Sequence, residues 1–271
     1  MLANNNEAII NKLAKNSVKT NKKQYAILFF TIILSAFMLF CVFTIGMTYL
    51  NSSRLQNTRL NGAEYDIVTM NGFTSEQLNT LQQNENIRSV GIESYAGFIQ
   101  STEYDKTVEI GLLWCDEVFW DNLMSPARTK LDGHYPQNKN ELMVTKDILK
   151  TCGNENLSVG DSLILTYENN TGVYTDEFVI SGIWDGYGDT SAGFVSKAFY
   201  DETGYDLKNN GILCIKLNCN YVFPTTIQSI EKSLDFSDRQ IFAPTGYIEN
   251  SFKLLLGICG LALVILTLIH I

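Results

Sequence analysis

The sequence lacks the motifs of several enzyme and metal-site classes. It has no C-x-x-C pair, no G-x-x-x-x-G-K-[ST] phosphate loop and only two histidines among 271 residues. A zinc ribbon or a dithiol redox site needs the cysteine pair, so both are excluded. Without a phosphate loop, any ATP hydrolysis must come from a partner protein. We therefore expect no enzyme and no bound cofactor or metal.

Two segments, residues 25–50 and 254–271, lack charged residues altogether. As a helix the first would be about 39 Å long, against a hydrocarbon core of about 30 Å. It exceeds the apolar core of a signal peptide and lacks a small-residue cleavage site, so we predict an uncleaved transmembrane helix. The second segment predicts another transmembrane helix. Because no basic residue follows it, we expect it to be incomplete and the chain to continue beyond Ile271.

Basic residues are concentrated before the first apolar segment, beside a single acidic residue, Glu7. These topology-setting lysines are Lys12, Lys15, Lys19, Lys22 and Lys23. The positive-inside rule then predicts a cytoplasmic N-terminus and an extracytoplasmic location for residues 51–253.

The first 24 residues also carry an apolar stripe. The residues that recur at helical spacing are Ile9, Ile10, Leu13, Ala14 and Val18, with the lysines mostly off the stripe. The pattern predicts a basic amphipathic helix lying along the inner leaflet of the membrane. The alternative is a solvated basic tail that serves only as a topology signal.

Residues 51–253 form an acidic segment with 15 Lys+Arg against 28 Asp+Glu. Such a surface has no basic patch for nucleic acid, and it would repel anionic lipid headgroups. We expect this domain to stand off from the membrane or to pack on a partner. Its cysteines permit two disulfides, in three pairings, or remain as buried thiols. They are Cys115, Cys152, Cys214 and Cys219.

The acidic segment predicts a mixed set of strands and helices. Strands are expected at residues 64–70, 89–100, 107–114, 141–144, 162–167, 177–184 and 212–217. Helices are expected at residues 75–83, behind a capping box at Thr74, and at residues 147–152 and 224–234. Residues 54–62 would prolong the first membrane helix, and Asp116 would cap a helical turn. Without a regular β-α-β alternation, the pattern indicates an α+β domain between two transmembrane helices.

Two weaker chemical signals have simpler structural explanations. Residues 188–193 (GDTSAG) resemble a serine nucleophile loop with His134 as base, and residues 185–189 (DGYGD) resemble a calcium-binding turn. A glycine-rich turn between strands accounts for both sequence stretches. The aromatic side chains are expected to be mostly core, with a binding groove as the alternative. They are Trp114, Phe119, Trp120, Trp184, Tyr187, Phe194, Phe199 and Tyr200.

Four further stretches occur in a fixed order between the membrane segments or just before them. They are Leu13-Ala14-Lys15-Asn16-Ser17 with Lys22-Lys23, Asp132-Gly133-His134-Tyr135-Pro136 followed by Asn140-Glu141-Leu142-Met143-Val144, Val159-Gly160-Asp161-Ser162-Leu163, and Phe178-Val179-Ile180-Ser181-Gly182-Ile183. In this order the chain resembles the FtsX-like ABC transporter permeases, the group with a periplasmic core domain between the first two transmembrane helices that includes macrolide exporters.

The resemblance implies a function, a cellular location and a set of partners. A permease of this family lies in the bacterial cell membrane and works with a separate cytoplasmic ATPase that binds the ATP, and with a second permease half or another copy of itself. ATP hydrolysis would move the outer domain, for export or extraction of an amphipathic substrate or for force transmission. The alternative is a two-span sensor or ligand-binding protein, which needs a cytoplasmic output module after the second span.

The matched motif positions are expected to have structural roles and no chemistry. Glycine tolerates positive φ, so Gly133 and Gly160 are predicted just before short strands. Asp161 is predicted to close a turn by bonding to the backbone. The remaining motif positions are Pro136, Glu141 and Gly182. Members of the family carry further spans, which this sequence does not show.

Overall fold

A computed structural model describes residues 7–100, 110–187 and 192–269. The chain forms two compact units. The first, which we call the membrane unit, comprises Met1–Asn51 and Lys253–Ile271, and the second, the outer unit, comprises Ser52–Phe252.

Among the described residues, two helices are long and apolar enough to cross a bilayer: α2 (Lys22–Asn61) and α8 (Gly246–Ile269). The shorter helix α1 (Glu7–Thr20) precedes α2. At 1.5 Å per residue the 40-residue α2 is about 60 Å long, twice the hydrocarbon thickness. The predicted prolongation of this helix through residues 54–61 is therefore present.

The outer unit is built on one ten-stranded sheet in the order β10-β1-β9-β2-β3-β8-β5-β7-β4, with β6 pairing β2 and β7. The strands are β1 (Ile67–Met70), β2 (Ile87–Ile99), β3 (Ile110–Cys115), β4 (Arg128–Gly133), β5 (Glu141–Thr145), β6 (Ser162–Asn169), β7 (Gly172–Gly186), β8 (Gly193–Val195), β9 (Ile212–Leu217) and β10 (Ile241–Pro244). Most neighbours are antiparallel, whereas β3–β8 and β5–β7 are parallel. The predicted α+β class, with apolar helices flanking the domain, is confirmed.

Short helices join the strands. They are α3 (Ser75–Gln82), α4 (Lys146–Thr151), α5 (Lys197–Tyr200), α6 (Leu207–Asn210) and α7 (Pro224–Lys232), with a π-helix at Val118–Leu123 and a 3₁₀ turn at Ser125–Ala127. The capping box predicted for α3 is confirmed, because the Gln77 amide donates to Thr74 Oγ1 at 3.2 Å and the Thr74 amide donates to Gln77 Oε1 at 2.9 Å. The turn predicted at Asp116 is a π-helix, and Asp116 Oδ1 accepts from the Phe119 amide.

Three apolar clusters fill the outer unit. One includes Leu142, Phe178 and Phe199, and a second includes Ile67, Leu81 and Ile230. The third joins the π-helix to the sheet through residues such as Trp120 and Phe194. Together these clusters contain side chains from nearly every strand. Apolar packing against the single sheet therefore holds the outer unit together.

Sequence patterns missed three short or polar strands. β4 is exposed along almost its whole length and shows no apolar alternation, and β8 and β10 have only three and four residues. Gly133 was predicted to precede a strand, but it is the last residue of β4. β4 exists because β7 supplies its hydrogen-bonding edge, which is a tertiary cause. The strand predicted at residues 107–114 corresponds to β3, and its first three residues, 107–109, lie outside the described residues.

Candidate functional site

The motif residues of the outer unit meet around the middle of β7. Gly133 on β4 pairs directly with Gly182 on β7. A Cβ on Gly133 would lie 2.2 Å from Ser181 O, and Gly133 has a φ of +88°. A Cβ on Gly182 would lie 2.9 Å from His134 O. Only glycine at both positions lets the two backbones approach this closely.

Glu141 closes the loop that leads into β5. Its Oε2 accepts hydrogen bonds from the backbone amides of Gln137 at 2.7 Å and Asn138 at 3.0 Å, while Oε1 accepts from the Asn138 side chain. Partial burial opposes ionisation, but the hydrogen bonds from Gln137 and Asn138 outweigh it and lower the pKa of the Glu141 carboxyl. Glu141 itself pairs with Val179 on β7.

Gly160 and Asp161 form a tight turn on the same stretch of β7. The Gly160 amide donates to Ile180 O at 2.8 Å, and the Ile180 amide donates to Asp161 O at 2.9 Å. Asp161 Oδ2 accepts from the Ser158 amide at 2.8 Å, which is the predicted side-chain-to-backbone closure. Gly160 has a φ of +94°. Three loop connections, at Gly133, Glu141 and Gly160–Asp161, thus converge on residues 179–182 of β7.

The sequence reading missed the contribution of Tyr135, which lies beside the buried Pro136. Its hydroxyl accepts from the Cys115 amide at 3.0 Å and lies 3.2 Å from Val195 O, to which it donates. The ring packs on Trp120 at a centroid distance of 5.0 Å. Burial raises the pKa of Tyr135 well above its usual value, so the hydroxyl remains a donor. The motif Gly133–Pro136 is thereby fastened to the core.

The predicted topology lysines lie on α1 and the first turn of α2, where they are exposed. The apolar stripe of α1 is also exposed, with between 47% and 64% of each side chain accessible. These percentages refer to its larger side chains, Ile9, Ile10, Leu13 and Val18. Both the lysines and the apolar stripe of α1 are therefore exposed.

All six cysteines are free thiols. Cys115, Cys152 and Cys214 are buried, whereas Cys219 is exposed. Burial raises the pKa of the Cys115 and Cys214 thiols well above the usual value, so both stay protonated and weakly nucleophilic. These thiols therefore pack as small apolar side chains.

Most of the predicted core aromatics are buried, which confirms the simpler of the two expectations. Tyr187 is the half-buried member of the set, and the Arg59 guanidinium lies 4.1 Å from its ring centroid. Residues 188–191, on which the serine-loop idea and part of the calcium-turn idea depend, lie outside the described residues. His134 is exposed, and its Nδ1 lies 3.0 Å from Tyr135 O. Within the described ranges no three His, Cys, Asp or Glu side chains are grouped to hold a metal.

A polar groove of about 740 Å³ opens between α3, α6 and the loop before β10. Its floor is a network in which Gln240 Nε2 donates to Gln77 Oε1 at 2.9 Å and to Gly72 O at 2.8 Å. Gln77 Nε2 in turn donates to Leu234 O at 2.8 Å. These amides satisfy one another, so the floor is rigid and has no orphaned group that calls for a ligand.

Solved structures similar to this chain exist. The periplasmic region of MacB from Actinobacillus actinomycetemcomitans is 13% identical at a TM-score of 0.45, and the match covers 72% of this chain and 95% of that one. The extracellular domain of the noncanonic ABC-type transporter YknZ from Gram-positive bacteria is 12% identical at a TM-score of 0.42, with coverages of 66% and 98%. No family model and no curated protein matches the sequence.

Proposed function

We propose that this chain is the N-terminal part of an FtsX-like ABC transporter permease in a bacterial cell membrane. The observation that supports it best is the convergence of the outer-unit motifs on one stretch of β7, where Gly133 and Gly182 are backbone partners. The motifs were recognised from sequence alone, and they turn out to be neighbours in space. Two apolar helices flank this domain in the chain order that such a permease requires.

The proposed topology places the N-terminus in the cytoplasm and residues 51–253 outside the cell. The lysines of α1 and early α2 hold the first end inside, and the acidic composition of the outer unit suits an aqueous compartment. The basic face of α1 would lie on anionic lipid while its apolar stripe is buried among the acyl chains. The exposure of that stripe supports this arrangement.

The proposed mechanism is mechanical, and the chain itself has no catalytic role. A separate ATPase binds ATP in the cytoplasm, and its closure displaces the cytoplasmic end of α2. Because α2 is one uninterrupted helix of about 60 Å, displacement at one end reaches the segment beyond the bilayer. Two permease halves would move together to export or extract an amphipathic substrate, or to transmit force to an outside partner.

Co-purification from membranes tests this function. The full-length gene product carrying an affinity tag should retain a P-loop ATPase through detergent extraction, and should stimulate ATP hydrolysis by it in liposomes. An unrelated two-span protein prepared in parallel controls for adhesion. If no ATPase is retained and none encoded beside the gene associates after co-expression, the proposal is wrong.

A further inference from the structure

A buried ion cluster joins the segment after α2 to the middle of the sheet. Asp66 lies one residue before β1, directly opposite Lys216 on β9, since Ile67 pairs with Ile215 in antiparallel register. The side chains of Lys216 and Asp66 are only 6% and 2% exposed, and Glu64 beside them is 27% exposed. The residues that meet here are 150 positions apart in the chain.

The cluster has a geometry suited to reaction between an amine and a carboxyl group. Lys216 Nζ lies 3.3 Å from Asp66 Oδ1 and 3.2 Å from Oδ2. The nitrogen is therefore in contact with both oxygens of the carboxyl group whose carbon it would attack. Glu64 Oε1 lies 3.1 Å from the same nitrogen, within reach of its protons. The Leu217 amide holds Asp66 Oδ2 at 2.9 Å and fixes the carboxyl plane.

Two other lysine–carboxylate pairs in the described residues provide a comparison. Lys139 with Glu202, and Lys197 with Asp201, have side chains that are all more than half exposed. Water competes with such pairs and disperses the charges. Lys216 and Asp66 are instead fixed in contact by the sheet, which supplies the high effective concentration that an intramolecular reaction needs.

Burial makes the charged forms of this pair costly. It raises the pKa of the Asp66 carboxyl, although the Lys216 ammonium and the Leu217 amide act in the opposite direction. A buried ion pair returns little net stability after its desolvation cost. Conversion of the pair into a neutral amide removes that cost altogether.

We propose that Lys216 and Asp66 condense to an intramolecular isopeptide bond, with Glu64 as the proton acceptor. Glu64 accepts a proton from the Lys216 ammonium, and the free amine attacks Cγ of the protonated Asp66 carboxyl. One C–N bond forms and one C–O bond breaks. The departing hydroxyl takes one proton from the nitrogen and leaves as water, while Glu64 keeps the proton that it accepted. Charge and atoms balance without an oxidant or a co-reactant.

The surroundings provide a route for the released water. A cavity of about 420 Å³ borders Lys216 and Glu64 and is also lined by Ser89 and Asn122. The resulting cross-link would fasten residue 66 covalently to β9. It would therefore hold the domain together under load, whichever function the whole protein has.

The intact mass of the purified full-length protein decides the question. It should be lower than the sequence mass by one water molecule. A tryptic digest should contain a branched peptide joining residues 66 and 216, with no cleavage after Lys216, because acylated lysine is not a trypsin site. An intact mass equal to the sequence mass, together with normal cleavage after Lys216, overturns the proposal.

Three variants assign the roles. Glu64→Gln keeps both reacting groups but should retain the full, uncondensed mass in freshly made protein, and full condensation in it would overturn the role given to Glu64. Lys216→Met should lose the mass deficit. Lys197→Met removes an exposed ion pair instead and should keep the deficit. The mass of the wild-type protein remains decisive even if Lys216→Met fails to fold.

Discussion

Gly133 on β4 and Gly182 on β7 lie directly opposite each other as Cα partners. A Cβ on Gly133 would lie within 3 Å of backbone atoms of Ser181 and Gly182 on β7, and a Cβ on Gly182 would lie 2.9 Å from the carbonyl oxygen of His134, just after β4. The contact lets β4 close onto β7 while the chain turns away at His134, whose amide donates to Ser181 O at 2.9 Å. It therefore determines where the motif loop leaves the sheet.

Alanine at this contact should destabilise the outer unit. Gly133→Ala combines positive φ with a backbone clash and should lower the free energy of unfolding by at least about 2 kcal/mol. Gly160→Ala has positive φ but open space, so about 1 kcal/mol is expected. Gly246→Ala is the matched control without either feature and should be neutral. Denaturant unfolding in detergent measures all three, and equal effects of the Gly133 and Gly246 changes would contradict the structure.

Glu141 should stabilise the fold through the loop that it closes. Glu141→Ala removes acceptors for two backbone amides and should lower the free energy of unfolding by about 1–2 kcal/mol. Because the folded-state pKa is lowered, this contribution is present above the pKa of an unfolded glutamate and is lost as pH falls through the folded value. Unfolding curves between pH 7 and pH 3 should thus converge for wild type and variant. A constant difference down to low pH would contradict the hydrogen-bonding role.

Glu93 should give the protein the opposite pH response. Burial on β2 raises the pKa of this carboxyl to about 7. A raised folded-state pKa contributes stability below the unfolded value of about 4.5, and this stability is lost as pH rises through 7. Wild type should lose on the order of 3 kcal/mol over that range from this group.

Glu93→Gln should remove this part of the pH dependence. The variant keeps the shape of the side chain but cannot ionise, so at pH 8 it should be the more stable protein. Glu177→Gln, on the exposed part of β7, is the matched control and should follow the wild-type curve. Unfolding midpoints at pH 5, 6, 7 and 8 provide the measurement. A fall with pH that persists in Glu93→Gln would show that another group titrates.

Thiol labelling should distinguish the exposed cysteine from the buried ones, and it should also report on which side of the membrane the outer unit lies. Cys219 is exposed, whereas Cys115, Cys152 and Cys214 are at most 8% exposed. A membrane-impermeant maleimide applied to intact cells should label the protein mainly at Cys219. Cys219→Ser should abolish most of the signal, and Cys152→Ser should leave it unchanged. Labelling only after lysis would refute an outside location for the outer unit.

The two apolar helices should be coupled at Gly46. A Cβ at this position would lie 2.7 Å from Ile258 Cδ1, so α2 and α8 approach closely there. Gly46→Val should lower the free energy of unfolding in detergent by about 1–3 kcal/mol, because the added side chain overpacks this contact. Ile258→Ala should restore part of that loss, giving a measurable coupling energy. Gly257→Val, where a Cβ has open space, is the control, and additive effects of the Gly46 and Ile258 changes would contradict the contact.

Much of the local structure was predictable because it depends on neighbouring residues. The apolar run of α2 and the capping box of α3 are determined by short-range sequence. The hairpin between β6 and β7 is also determined by its turn residues, since Asn169 Oδ1 accepts a hydrogen bond from the Thr171 amide at 2.8 Å. The motif positions were identified from their order, and their glycines and turn-forming Asp161 suggested structural roles.

Only the tertiary structure decided how distant segments meet. β4 carries no apolar alternation and exists because β7 offers it an edge. Tyr135 lies in a motif stretch, but its hydrogen-bonding role could not be predicted, since it depends on two carbonyls and an amide brought to its hydroxyl by β3 and β8. The ion cluster of Glu64, Asp66 and Lys216 depends on the pairing of β1 with β9. Sequence patterns encode local periodicity and turn chemistry, whereas contacts between residues 150 positions apart are determined by how the strands assemble.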